Sequence, residues 1–184
     1  MEVIVFEGPA GSGKSTAINS LLEIIPGSAL YTHPYNRPRN YMMPGIAVLQ
    51  KDLDQLLHIL AYRDSTLILD RFWISAWAYN FLRHEDIWPF NSHMDQLVDI
   101  FDRLYQYLSQ QGEILQDTIQ LKYYFIIPEI EELKKRRRES GKEYPFDAEE
   151  EIGVYNGIVS SMENYTAISV QNLEISHYVR RPSA

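Results

Sequence analysis

The 184-residue chain contains no cysteine. That excludes disulfides and any thiolate metal site, and it fits a reducing compartment. No apolar run is long enough to span a membrane, and the N-terminus reads as a strand rather than a signal peptide, so a cytoplasmic location is expected, the host cytoplasm if the protein is viral. There is no internal repeat and no low-complexity segment. The five histidines, His33, His58, His84, His93 and His177, are scattered and form no metal-binding cluster. No nucleophile–base pair stands out. Basic residues are outnumbered, 17 Lys and Arg against 25 Asp and Glu, for a net charge of −8. Bulk electrostatics therefore disfavour a dedicated duplex-DNA binder, although a local basic patch remains compatible with that balance. With 45% hydrophobic residues the chain can bury a proper core, and its length suits a single domain over residues 1–184 with at most a small lid.

What is present is concentrated near the N-terminus. Glu7 to Thr16 reads Glu-Gly-Pro-Ala-Gly-Ser-Gly-Lys-Ser-Thr and contains G-x-x-x-x-G-K-[ST], with Gly8, Gly13, Lys14 and Ser15 at the fixed positions. The apolar run Val3–Phe6 precedes it and a helical stretch, Ala17–Ile25, follows. Strand, glycine loop and helix together make the pattern a phosphate-binding loop rather than a plain glycine-rich turn. Gly8, Ala10, Gly11, Ser12, Gly13, Lys14, Ser15 and Thr16 are the candidate cofactor-binding residues. Their backbone N–H groups and the positive end of the helix face an anion. Lys14 is expected to reach the β- and γ-phosphates and Ser15 to bind Mg²⁺.

A second strand is expected at Ala29–Thr32, followed by a loop, His33–Tyr41, whose Arg37 and Arg39 are candidate acceptor contacts. Ile46, Leu49, Leu53, Leu56, Leu57 and Leu60 mark one apolar helix face. Thr66–Asp70 is an apolar strand ending in a carboxylate, the Walker-B arrangement, which assigns Asp70 to Mg²⁺ beside Ser15. Helices are expected at Trp73–Leu82 and, with the clearest amphipathic spacing, over Met94–Leu108. A strand at Lys122–Ile127 ends at Pro128. The charged helix Glu129–Glu139 runs into Lys134-Lys135-Arg136-Arg137-Arg138, and a further helix spans Ala148 to about Tyr165. The basic run and the residues up to about 147 suit a lid whose arginines spread over a transferring phosphoryl group, with Gly141 as a hinge. The acidic residues flanking it, among them Glu149, Glu150 and Glu151, would keep it from being a general polyanion surface. Strand candidates follow at Ala167–Val170 and Ile175–Val179, then a frayed tail from Arg180.

Alternating strands and helices predict an α/β fold: a P-loop NTPase of three α/β/α layers, a mostly parallel sheet and a small helical lid. Lys14, Asp70, Arg71, Arg136, Arg137 and Arg138 are the catalytic candidates, in a site built for phosphoryl transfer with ATP and Mg²⁺.

Asp70-Arg71-Phe72-Trp73-Ile74-Ser75-Ala76-Trp77-Ala78-Tyr79 resembles the D-R-x-x-x-S-x-x-A-Y stretch of thymidylate kinases. Lys134–Lys142 with Tyr144–Tyr165 resembles their lid and following helix, so the likeness runs over most of residues 1–165. It implies a deoxynucleoside monophosphate kinase, often a homodimer built from helices. By that resemblance Arg71 holds the acceptor's phosphate, Ser75 and Tyr79 line its pocket, Asn80 meets a base edge, and Phe72 or Trp73 stacks on a base.

Two features depart from the family pattern. Thymidylate kinases usually carry a P-loop acid that binds the sugar hydroxyl, where this chain has Ala10, and Arg-Glu-Pro after the second strand, where it has Thr32-His33-Pro34. A second acceptor class stays open for that reason. Bacteriophage kinases similar to this family phosphorylate 5-hydroxymethyluracil in DNA, a base-modifying role in which Phe72, Trp73, Trp77 and Tyr79 would hold an unstacked base. A hydroxyl acceptor would also benefit from a general base, for which Asp70 and Glu7 are the candidates. A third reading is a nucleotide-gated ATPase switch.

Overall fold

The computed structural model describes residues 2–32, 66–83, 120–164 and 173–177. Strand β1 (Glu2–Glu7) leads into α1 (Lys14–Ile24), and β2 (Ala29–Thr32) follows. Then come β3 (Leu67–Asp70), α2 (Trp73–Arg83), β4 (Gln120–Phe125), α3 (Ile130–Ser140), α4 (Ala148–Asn164) and β5 (Leu173–His177). The five strands form one sheet in the order β2-β3-β1-β4-β5, every pair parallel. Strand β4 begins two residues earlier than its apolar run suggests, and past its end Ile126 N still donates to Glu7 O at 2.9 Å. The Ile175–Val179 candidate overlaps β5, while the one at 167–170 lies outside the described residues. So do the loop expected at 33–41 with Arg37 and Arg39, the apolar face expected at 46–60 and the amphipathic helix expected at 94–108.

Strand β1 sits at the centre, apolar on both faces, as a strand in a doubly covered parallel sheet must be. Val3 and Val5 pack with Leu67, Leu69, Tyr123 and Phe125 under Ile74 and Ala78 of α2 and Tyr155, Ile158 and Val159 of α4. Ile4 and Phe6 point the other way, with Ile68 and Ile126, against Ile18 of α1. The two side-chain sets alternate with period two along the strand, so helices cover both faces in three layers. Leu133 of α3 and Ala148 and Ile152 of α4 form a smaller apolar cluster with Ile127. Among the described residues no helix is long and apolar enough to cross a membrane.

The carboxyl ends of β1 and β3 lie side by side, with Phe6 in register with Asp70. Neighbours of β1 on its two sides are reached by connections running in opposite directions, which opens the crevice where ligands bind in such sheets. One buried carboxylate joins the two strand ends. Glu7 Oε1 accepts from Phe72 N at 2.8 Å and Ser75 N at 3.4 Å, and its Oε2 accepts from the Ser75 hydroxyl. It thereby satisfies N–H groups that α2 leaves open at its start and places negative charge at the positive end of that helix. Burial pushes the Glu7 carboxyl up from 4.5 to about 7, opposed by the Ser75 hydrogen bond, the Arg71 charge, the Phe72 N–H and Lys14.

Gly8 follows Glu7 at φ 141°, and a Cβ there would lie 2.3 Å from Ile126 O. Gly8→Ala should therefore lose about 2–4 kcal/mol in urea denaturation, because the obstacle is backbone rather than a side chain that can swing away. Glu7 generates a second prediction. Its folded value lies above its unfolded one, so between those limits the folded protein keeps a proton that the unfolded chain has released. The stabilisation it contributes is complete below about pH 4.5 and fades as the pH rises to about 7, after which it is flat. The loss across that window should be at most ~3 kcal/mol. Urea denaturation of the wild type and Glu7→Gln on both sides of the window checks this. Their stability difference should slope inside it and be level outside, and a level difference throughout would mean that Glu7 does not titrate there.

Candidate active site

The loop of residues 8–13 joins β1 to α1. Gly13, at φ 103°, is the residue before the first helical turn, and no side chain caps that turn. The turn contains no acidic residue, and Ser15 and Thr16 are exposed on it. Its N–H groups and hydroxyls thus face outward at a positive helix end. Lys14 is buried, and its Nζ donates to Gly8 O at 2.8 Å, Pro9 O at 2.7 Å and Ser12 Oγ at 3.3 Å. Burial, and then the Arg71 charge, hold its ammonium well below the ordinary lysine range against the pull of Asp70, Glu7 and Glu151.

Asp70 ends β3 half-buried, and its Oδ1 is buried without a hydrogen-bond partner. A buried carboxylate oxygen with no donor fits a cation site, and Ser15 provides a hydroxyl in the first turn of α1. Among the described residues no group of three or more His, Cys, Asp or Glu could hold a metal.

Arg71 adopts φ 72°, the one described non-glycine residue in the left-handed region. Its N–H donates to Phe6 O at 3.0 Å. Its Nη1 donates to Gly8 O at 3.1 Å, Ser75 Oγ at 2.9 Å and Tyr155 OH at 3.2 Å, and its guanidinium lies over the Tyr79 ring. Tyr79 stacks on Phe146, and burial pushes its phenol up to about 12.

Three expectations change here. Phe72, expected to stack on a base, is fully enclosed in the main core, because α2 turns that side chain toward the sheet. Ser75, expected to line the acceptor pocket, is also fully buried, and its hydroxyl serves Glu7, Arg71 and Tyr155. Glu7, a candidate general base, is enclosed beneath the loop and committed to the start of α2. The side chains of Trp73 and Asn80, both on α2, lie outside the description.

The arginine run occupies the last two turns of α3, which Gly141, expected as a hinge, closes in a left-handed conformation. Arg136 Nη1 donates to Ser12 O at 2.6 Å, and Nε to Glu132 at 2.7 Å. Arg137 donates through Nε and Nη2 to Ala10 O at 3.0 and 2.9 Å, and through Nη1 to Phe146 O at 2.9 Å. Arg138 is exposed.

Two residues that sequence reasoning did not single out complete the site. Tyr155 joins Arg71 and Ser75. Glu151 is fully buried, not part of a solvated acidic flank. Its Oε2 accepts from Ala10 N at 2.8 Å, and its Oε1 is 2.9 Å from Arg137 Nη2. That second contact is an ion pair by distance but not an aligned hydrogen bond, since Nη2 also bonds Ala10 O. A signal for Glu151 existed. It shares the helical spacing of Ala148, Ile152, Tyr155 and Val159, and a carboxylate inside an apolar stripe needs a buried partner.

No protein-family model matches the chain, and no curated protein matches it. Solved structures do. The deoxyadenosine kinase of M. mycoides with bound dATP aligns at 12% identity over 97% of this chain and 91% of its own, with TM-score 0.55. The YorR protein of Bacillus subtilis, in complex with phosphorylated GDP, aligns at 16% identity over 96% and 85%, with TM-score 0.59. Polyphosphate kinase 2 of Arthrobacter aurescens aligns at 11% identity over 96% of this chain and 60% of its own, with TM-score 0.56. At such identities the likeness is one of fold, and the chain has the α/β P-loop fold that these proteins have.

Proposed function

We propose that the protein is an ATP- and Mg²⁺-dependent phosphotransferase acting on a nucleotide, with a deoxynucleoside monophosphate as the favoured acceptor. One observation carries this reading. In a chain of net charge −8, four cationic side chains from three parts of the fold donate hydrogen bonds to one loop. Lys14 and Arg71 bond Gly8 O, Arg137 bonds Ala10 O and Arg136 bonds Ser12 O. Such a concentration of positive charge against an acidic background suits a polyphosphate. The match of fold to a deoxyadenosine kinase and a polyphosphate kinase supports it.

In this reading the N–H groups of the loop and Lys14 hold the β- and γ-phosphates. Asp70 and Ser15 would hold Mg²⁺, which when bound neutralises charge on the phosphate oxygens. An ionised oxygen of the acceptor's phosphate forms the new P–O bond to the γ-phosphorus as the bond to the β-phosphate oxygen breaks, and ADP leaves. No general base is needed for such an acceptor. Arginine from α3 meets charge spreading over the equatorial oxygens. Arg71, with Tyr79, Trp73 and Asn80 of α2 and with Arg37 and Arg39 of the sequence that follows β2, would bind the acceptor. The thymidylate-kinase resemblance of the Asp70–Tyr79 stretch favours a deoxynucleotide.

The test is γ-labelled ATP with Mg²⁺ and two acceptor pools, the common nucleoside and deoxynucleoside monophosphates, and DNA with and without 5-hydroxymethyluracil. Label in a single nucleoside diphosphate is the expected result. Label in modified DNA alone would establish a base-modifying kinase instead, and label released only as free phosphate would establish an ATPase switch. Lys14→Ala should lower transfer by about 10²-fold or more with an unchanged far-UV circular dichroism spectrum. Full activity in that variant would remove Lys14 from the site.

A further inference from the structure

Three neighbouring arginines on one helix cannot do the same work, and their partners separate them. Side chains of consecutive helical residues are ~100° apart, so Arg136 and Arg137 reach different ends of the loop while Arg138 faces solvent. Arg137 is 9% exposed with every guanidinium nitrogen engaged. Its plane also lies over the Tyr144 ring at 4.6 Å. Glu151, 0% exposed, faces it from α4 and takes the Ala10 N–H. The peptides on both sides of Ala10 are thereby held, the N–H by a carboxylate and the C=O by a guanidinium. Each charge meets the end of the peptide dipole that it favours. The aliphatic stem of Arg137 packs close as well: a Cβ on Gly11 would be 3.3 Å from its Cγ.

Arg136 is held differently. It is 29% exposed, and its carboxylate partner, Glu132, is 44% exposed one turn earlier on the same helix. Exposed pairs of this kind hold a side chain weakly. Its Nη1 lies on Ser12 O, and a Cβ on Gly13 would be 3.1 Å from that nitrogen, so it stands over the end of the loop that opens into α1. Moving Arg136 onto a ligand gives up one exposed pair and one hydrogen bond to a loop carbonyl. Moving Arg137 leaves Glu151 as an uncompensated buried charge.

We propose that Glu151 and Arg137 form a positioning pair that sets the curl of the phosphate loop, and that of the three arginines Arg136 touches the transferring phosphoryl group. The division of labour rests on the phosphotransferase reading. The loop-positioning part does not, because it concerns ATP binding alone.

The experiment measures Mg·ATP binding by titration calorimetry, acceptor turnover with γ-labelled ATP, and thermal denaturation. Arg136→Ala should lower kcat by about 10²-fold or more while the Kd for ATP moves by less than about threefold. Glu151→Gln and Arg137→Lys should each raise the Kd for ATP about tenfold, with a smaller effect on the acceptor's KM. The double variant Arg137→Met with Glu151→Leu removes both charges together. It should keep its melting temperature, yet bind ATP no better than either single variant, because the two residues act as one unit. ATP binding unchanged in Glu151→Gln would overturn the positioning pair, as would a rise confined to the acceptor's KM, which would make Glu151 a ligand of the acceptor instead. A kcat loss that follows Arg137 rather than Arg136 would overturn the division of labour. Should the wild type transfer phosphate to no acceptor, the phosphotransferase reading fails, and the ATP-binding measurements on Glu151→Gln and the double variant still decide the pair.

Discussion

The Glu7 carboxylate under the phosphate loop is the interaction on which the rest of the site depends. It lies at the end of the central strand, where burial alone would favour its neutral form. Its position is tolerable because Phe72 N, Ser75 N and the Ser75 hydroxyl all donate to it. Those bonds seat the start of α2 against β1 and so fix the turn at Asp70 and Arg71. Arg71 then turns its guanidinium back to Gly8 O and Tyr155. A chain of polar contacts thus runs from β1 through α2 to α4 and back to the loop, inside an otherwise apolar core. Each member satisfies another, and removing one partner would strand the next.

The same logic explains how an acidic protein builds a basic site. The two fully buried carboxylates near the loop are both committed to protein partners. Glu7 is enclosed below it, and Glu151 is tied to Ala10 N and Arg137. They neutralise part of the positive charge of Lys14, Arg71 and Arg137, which are buried with them. The cations in turn bond loop carbonyls, the groups that cannot themselves help an anion. The carbonyls of the loop thus face cations, and the N–H groups at the start of α1 remain for phosphate.

The fold was largely legible because its signals are local. The apolar runs of β1 and β3, the loop glycines, and Pro128 after β4 each specify their own stretch of chain. At Gly8–Thr16 and at the end of β3 the backbone frame was legible as well, because the glycine spacing and the apolar run each specify it locally. Side-chain direction on helices was harder to read. Phe72 and Ser75 look like pocket residues within a family-like stretch, but the seating of α2 by Glu7 turns both inward. Glu151 looks like one of three solvated acids, and only the apolar stripe of Ala148, Ile152, Tyr155 and Val159 marks it as the buried one. Long-range partners decide such cases, and Glu151 meets Ala10 across most of the chain.

The basic run on α3 shows the same principle from the cationic side. Composition presents it as a single patch, but a helix distributes neighbours around its axis. Leu133 and Arg137, four residues apart, share the inward face, so the apolar contact of Leu133 with Ile127 and α4 decides where Arg137 points. Arg136, one position earlier, is left beside the mouth of the loop, and Arg138 is left outside. The packing of one leucine therefore sorts three chemically identical side chains into different environments. It does so through the seam between α3 and α4, where Leu133 meets Ala148 and Ile152 one turn away from the Arg137–Glu151 pair. A loosened seam would release the loop and the arginines together, so packing at Leu133 and charge placement at the phosphate loop form one cooperative unit.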